Sequence, residues 1–183
     1  MHDDPDARLQ AAEAPDEGVI EAAEMTRPHG KQPYHDAIAP ELIDDLHLAI
    51  GKGLALVGAD EGAPPAAWLE AIARYLDDAR HGKRRSPSDP TETSLALGCL
   101  LGQAVCRELG WGWAHVRRTR RPGILVISPD RRYALAPRAI IEHAAQGNAN
   151  LRELAARLRT GEALPRAKPG EYLRVSVGPT RAR

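Results

Sequence analysis

The stretch Leu97–Pro137, LGCLLGQAVCRELGWGWAHVRRTRRPGILVISPDRRYALAP, decides the fold class of this 183-residue chain. Apolar residues recur at helical spacing up to Leu109, and Gly110 is typical of the residue that follows a helix. The remainder predicts three short strands, with Arg- and Pro-rich turns between them, over 111–116, 124–127 and 133–136. Short strands with short links favour an antiparallel meander. The stretch therefore indicates an α+β fold with a small sheet packed against helices.

Helices are predicted on both sides of the strands. Before them, apolar residues recur every three or four positions and Pro stands near the start of each helix; these helices cover 40–57, 66–81 and 90–109. Two more follow over 137–146 and 150–159, and segment 171–177 is a candidate fourth strand. Residues 34–183 are thus expected to form a single α+β domain. Residues 1–33, rich in Asp, Glu, Ala and Pro, are expected to form a loosely held acidic arm.

A stripe of small residues runs along the third helix. Ser94, Gly98, Gly102 and Cys106 recur every four residues, which places them on nearly one face. Glycine weakens a helix by roughly 0.5–1 kcal/mol relative to alanine, so two glycines on one face indicate a close approach of another backbone. We predict that this face lies flush against the sheet.

Charge is distributed unevenly along the chain, although its formal net charge is zero. Residues 1–62 hold 14 acidic and 4 basic residues, whereas residues 117–183 hold 5 acidic and 15 basic residues. Such asymmetry favours a charged partner or contact between the two ends. The chain has no Phe, and three Trp and four Tyr are its only aromatic residues. Low aromatic content argues against a protein that stacks nucleic-acid bases.

The cysteines and the chain ends favour a cytoplasmic protein. Cys99 and Cys106 lie seven residues apart on one predicted helix, about 10 Å along its axis. A disulfide needs Cα atoms within about 7 Å, so both are expected to be free thiols in a reducing compartment. The N-terminus, MHDDPDARLQ, is acidic and does not resemble a signal peptide. No segment approaches the roughly 20 apolar residues of a membrane span, so no membrane partner is expected.

Motifs for catalysis, metals and cofactors are not found in the sequence. The seven histidines have no metal-ligand spacing, and neither HExxH nor CxxC occurs. Gly51-Lys52-Gly53 lacks the frame of a phosphate-binding loop. Ser128 is expected to form a turn with Pro129, because no nucleophile elbow surrounds it. We therefore expect no catalytic residue, no metal, no cofactor and no enzymatic activity.

Three groups of residues are candidate binding surfaces. An acidic surface for a protein partner consists of Asp36, Glu41, Asp44 and Asp45. A ligand groove is a second candidate, formed by the alternating side chains of Trp111, Trp113 and His115. The third is a basic patch that would contact nucleic-acid phosphates: Arg117, Arg118, Arg120 and Arg121.

The pattern LGxxLG, LGWxW and SPxxxYxxxP in residues 97–137 resembles small bacterial domains of unknown function. Similar helix order extends the resemblance to residues 40–160. Some domains of this type are similar to immunity proteins that neutralise bacterial toxins. The resemblance therefore implies an α+β fold and a protein-binding role. The shared residues are structural in character, and the resemblance implies no catalytic residue.

Three functions remain open from the sequence. The first is a cytoplasmic protein-binding domain without enzymatic activity, such as an immunity protein whose acidic surface covers the basic active site of a toxin. A nucleic-acid-associated regulator that uses the Arg-rich turns is the alternative. A small-molecule enzyme built around Trp113 and His115 is a further alternative, and it requires a concave pocket with convergent polar groups.

Overall fold

The computed structural model describes residues 34–84, 89–117, 123–161 and 164–175. Within these ranges the chain order is one strand, three helices, three strands, two helices and a last short strand. The strands are β1 (Tyr34–Asp36), β2 (Gly112–Arg117), β3 (Gly123–Ile127), β4 (Tyr133–Leu135) and β5 (Leu173–Arg174). The helices are α1 (Pro40–Val57), α2 (Pro65–Arg80), α3 (Pro90–Leu109), α4 (Pro137–Ala145) and α5 (Leu151–Thr160).

The helix boundaries follow from local capping chemistry, and the predicted helices are confirmed to within about one residue. The Asp89 side chain accepts hydrogen bonds from the first backbone N–H groups of α3, and Gly110 ends that helix with φ of 67°. The Asn150 side chain caps α5 in the same way, and Gly161 ends it with φ of 68°. These signals lie within a few residues of each boundary, so the sequence alone carries them.

The sheet has five strands in the order β1-β2-β3-β4-β5, which corrects the expected three or four. Strands β1 to β4 pair antiparallel, and β2 and β3 pair from Gly112 opposite Ile127 to Val116 opposite Gly123. Strand β5 pairs parallel with β4, so the sheet is not a pure meander. Strand β1 was missed because it spans only three residues and depends on pairing with β2.

The two faces of the sheet bury two separate apolar clusters. The main cluster combines residues of all five helices with Val126 and Leu135, from one face of β3 and β4. The alternate residues Leu125, Ile127 and Ala134 belong to a second cluster on the opposite face, which Tyr172 joins from the segment before β5. The helices therefore lie on one side of the sheet, and Tyr172 packs against the other.

Glycines of α3 contact two different elements, which corrects the expectation that their face lies wholly on the sheet. A Cβ atom at Gly102 would overlap the ring of Trp113 on β2, as predicted, and would lie 3.1 Å from Pro137 Cγ. At Gly98 it would lie 2.8 Å from the Cα atom of Arg138, a residue of helix α4. The glycines of the stripe therefore leave room for the Trp113 side chain of β2 and for the backbone of α4. Helices α3 and α4 approach each other through Gly98.

The expected acidic arm, residues 1–33, lies outside the described residues. Among the residues that are described, no helix is both long enough and apolar enough to span a lipid bilayer.

Candidate partner-binding groove

Helix α1 carries an unusual share of exposed apolar side chains. Five large apolar residues are exposed in the described part of the chain, and three of them, Leu42, Ile43 and Leu48, lie on α1. The other two are Leu95 at the start of α3 and Ile124 on β3, with exposed fractions of 45% and 36%. Single exposed apolar residues are ordinary, whereas several around one concave surface indicate an interaction site.

Leu42, Leu95 and Ile124 line one groove, with a volume of about 270 Å³, formed by α1, α3, α4 and the sheet. Most of its lining is apolar. The charged residues in the lining are Asp45 and Arg138, and the complete set is Leu42, Asp45, Leu46, Ala49, Leu95, Gly98, Cys99, Trp113, Ile124, Pro137 and Arg138.

Trp113 and Cys99 line the inner part of the groove. The Trp113 ring is held over Gly102, and its indole N–H donates a hydrogen bond of 3.2 Å to Gln103 Oε1. Both contacts orient the ring, so this part of the surface is already formed. Burial raises the pKa of the Cys99 thiol to about 11, which keeps it protonated at neutral pH. Cys99 therefore contributes an apolar surface and not a nucleophile.

Carboxylates without ion pairs lie on α1, and one of them, Asp45, lines the groove. Glu41, Asp44 and Asp45 are exposed on α1, and none of the three forms an ion pair with another described residue. Nearby cations are already paired: Lys52 with Glu92 at 2.5 Å, and Arg138 with Glu142 at 2.8 Å. The first turn of α1 favours acids through the helix dipole, which accounts for Glu41 but less for the second-turn residues. Because Arg138 is paired with Glu142, Asp45 is the charge in the groove lining that has no ion-pair partner among the described residues.

The fourth predicted acidic residue, Asp36, differs from the other three because it forms an ion pair. Its carboxylate accepts a hydrogen bond of 2.5 Å from Nε of Arg117 on the neighbouring strand. This ion pair joins one residue of the predicted acidic surface to one residue of the predicted nucleic-acid patch. Each reduces the charge that the other offers to a partner. The remaining arginines of that patch, Arg118, Arg120 and Arg121, lie outside the described residues.

Of the three residues predicted to form a groove, Trp111, Trp113 and His115, one is in the lining of the groove described above. Trp113 lines the groove, and His115 lies two residues further on the same strand, opposite Ile124. His115 is half-buried and is not part of the lining, while Trp111 packs against the main cluster. The apolar walls from α1 and α3 were not predicted as site residues. Their helical spacing was visible in the sequence, but their exposure depends on how the two helices cross.

A larger, polar cleft of about 430 Å³ lies between α2 and the start of α5. Arg152 donates to both carboxylate oxygens of Glu70, at 2.7 and 2.8 Å, and to Asp77 at 3.0 Å. Arg80 also pairs with Asp77. These hydrogen bonds hold the pKa of Glu70 and that of Asp77 below their ordinary values. The four side chains satisfy one another, so they join α2 to α5 and leave little charge for a ligand.

Hydrogen bonds within a turn hold the Ser128 side chain. The Ser128 hydroxyl donates to Asp130 Oδ1 at 2.6 Å and accepts from the backbone N–H of Tyr133 at 3.0 Å, within the β3–β4 turn. This is the turn-forming role expected from the sequence. In the described ranges, no three His, Cys, Asp or Glu side chains cluster as metal ligands.

Comparison with known proteins gives the fold and no function. No protein-family model matches the chain, and no curated protein matches it. A crystal structure from Bacteroides thetaiotaomicron VPI-5482, at 1.50 Å resolution, is similar to it with a TM-score of 0.53 and 18% sequence identity. The match covers 74% of this chain and 51% of that one, so the chain spans about half the length of the structure it resembles. At this identity the likeness supports the fold alone.

Proposed function

We propose that this chain is a non-enzymatic protein-binding domain whose binding surface is the groove beside α1. One observation carries the proposal: an exposed carboxylate without an ion-pair partner among the described residues, Asp45, lies in the lining of an exposed apolar groove. Apolar residues clustered around one exposed concave surface indicate an interaction site, and the carboxylate among them adds a preference for a positively charged partner. A basic partner with apolar side chains complements both.

Exposed apolar residues from three elements line the groove, which favours a protein partner over a small ligand. Its volume of about 270 Å³ is close to the lower end of the roughly 300–1,000 Å³ typical of small-molecule sites. Several apolar side chains of a partner fit such a depression. The acids around it would speed the encounter and restrict which partners bind, while apolar burial would keep them bound.

More specifically, we propose that the chain is an immunity protein that neutralises a bacterial toxin. A toxin that cleaves nucleic acid needs a basic active site, and a surface bearing Asp44 and Asp45 would cover it by charge complementarity. Residues 97–137 resemble small bacterial domains of unknown function, some of which are similar to immunity proteins, and this resemblance is consistent with the same role.

The test uses the protein encoded beside this one as the partner, with two charge-matched variants. Asp44→Lys with Asp45→Lys changes the groove residue Asp45 and its exposed neighbour on α1, whereas Glu61→Lys with Asp78→Lys makes the same change in net charge elsewhere. We expect the first pair to weaken binding about tenfold or more at low salt, with a smaller effect at high salt, and the second pair to leave it unchanged. Equal affinity for both pairs at every salt concentration would exclude this surface.

The immunity role has a separate readout. Cells that express the adjacent protein as a toxin should grow when the wild-type chain or the control pair is co-expressed. They should not grow with the Asp44 and Asp45 pair. Absence of any growth effect from the wild-type chain would remove the immunity role and leave the binding measurements to decide the broader proposal.

A further inference from the structure

The walls of the groove offer few backbone hydrogen bonds to an occupant. Most of the lining comes from helices, whose backbones are internally bonded beyond the first turn, and from β2 and β3, which are interior strands of the sheet. The exception is the N–H of Arg138 in the first turn of α4, because the N-cap residue Ala136 provides no side-chain cap. Strand β2 is paired on both sides, with β1 and β3, and β3 is paired with β2 and β4. An extended segment in this apolar groove would bury most of its own N–H and C=O groups without partners, which is unfavourable. A helix satisfies those groups internally.

The wall formed by α1 has a regular spacing. Leu42, Asp45 and Ala49 follow one another at positions i, i+3 and i+7, and all three line the groove. Positions with this spacing form one stripe, which is about 10 Å long at 1.5 Å per residue. The stripe therefore places a carboxylate between two apolar side chains over two helical turns.

From these observations we propose that the groove binds a single amphipathic helix of the partner, with a Lys or Arg between two aliphatic residues on its contact face. This inference rests on the function proposed above. The basic residue would pair with Asp45, and the aliphatic residues would occupy the apolar ends of the stripe. Helix-in-groove recognition with anchors one or two turns apart is a recurrent mode of peptide binding.

Three labelled peptides of about 15 residues test this, each constrained where needed because short helices are marginal in water. The first is locked as a helix by a side-chain cross-link and carries Leu, Arg and Leu at i, i+4 and i+7. The second carries the same Leu, Arg and Leu but contains prolines that prevent a helix, and the third replaces the Arg with Glu in the locked helix. Fluorescence polarisation with the full chain measures their affinity. We expect only the first peptide to bind measurably.

The outcomes separate this inference from the broader function. Equal binding of the first two peptides would overturn the helix while leaving a basic, apolar partner intact. Equal binding of the first and third peptides would overturn the charge complementarity on which both proposals rest. Absence of binding by all three would overturn the helical occupant, and the experiment with the adjacent protein would then decide the function alone.

Variants of the chain locate the peptide. Leu95→Ser removes an apolar wall, and Asp45→Asn removes the carboxylate; each should weaken binding of the first peptide about fivefold. Leu48→Ser and Glu61→Gln are matched controls outside the groove lining, and they should leave the affinity unchanged. An equal loss in a variant and its control would place the peptide elsewhere.

Discussion

Gly98 is the residue on which the close approach of α3 and α4 depends. Its missing Cβ would lie 2.8 and 2.9 Å from the Cα and N atoms of Arg138, and backbone atoms cannot move aside by a change of rotamer. We expect Gly98→Ala to lower the free energy of unfolding by about 1–3 kcal/mol, because the two helices must separate. Chemical denaturation measures the effect.

Gly51 on α1 is the matched control for this substitution. It is exposed in a helix, and a Cβ built there meets no atom within 4 Å. Gly51→Ala should therefore raise the free energy of unfolding by about 0.5–1 kcal/mol through helix propensity. If both substitutions raised stability, Gly98 would not be a close-packing residue.

Tyr172 covers the face of the sheet that the helices leave open. Its ring is buried in the second cluster, its hydroxyl lies 2.6 Å from His35 Nδ1, and its backbone has φ of 46°, which a tyrosine rarely adopts. Tyr172→Phe keeps the ring and should cost about 0.5–1.5 kcal/mol, the value of one hydrogen bond. Tyr172→Ala should cost about 3–5 kcal/mol in thermal or chemical denaturation. Similar costs for both would show that the ring contributes little.

At the scale of elements, α2 and α5 are joined by Arg152 and its two carboxylate partners, Glu70 and Asp77. The pKa of each carboxyl is lowered, chiefly by the hydrogen bond from Arg152, from ordinary values of 4.5 and 3.8. A lowered pKa in the folded state contributes stability above the unfolded value and loses it as pH falls through the folded value. Because these side chains are half-exposed, water screens the network, and its contribution is about 1 kcal/mol or less.

Arg152→Met tests this connection. The variant should be less stable than the wild type near neutral pH, and the difference should shrink as the pH falls below about 4. Urea denaturation at several pH values measures it, with Arg138→Met as a control that removes a pair within one helix. A difference that stays constant into the acid range would show that the carboxylates are not its source.

The helices could be predicted closely because their signals are local. Asp89, Asn150, Gly110 and Gly161 each act within one turn of the boundary that they define. Strand β1 is three residues long and has no alternating pattern that predicts its pairing, whereas β5 lies within the segment 171–177 that the sequence indicates as a candidate strand. They are strands because neighbouring strands supply hydrogen-bond partners, and those neighbours are distant in sequence.

At the scale of the whole molecule, the groove results from how distant elements meet. Asp45 and Trp113 were candidate site residues from the sequence, one for its charge and the other for its strand position. That they line one groove depends on α1 lying beside α3 and on Gly98 and Gly102 allowing α4 and Trp113 to approach. The pairing of Asp36 with Arg117 likewise requires β1 beside β2. Neither the groove nor this ion pair can be predicted from residues that are close together in the sequence.

The indole N–H resonance of Trp113, followed by ¹⁵N NMR during titration with the locked Leu–Arg–Leu helix, tests the binding surface most directly. Trp68 is the internal control, because its buried indole N–H donates to the Asp60 carbonyl away from the groove. The Trp113 resonance should shift with saturation while that of Trp68 stays in place. An unmoved Trp113 resonance, with shifts instead at the amides of Gly147 and Asn148 in the polar cleft, would show that the peptide does not bind in the groove.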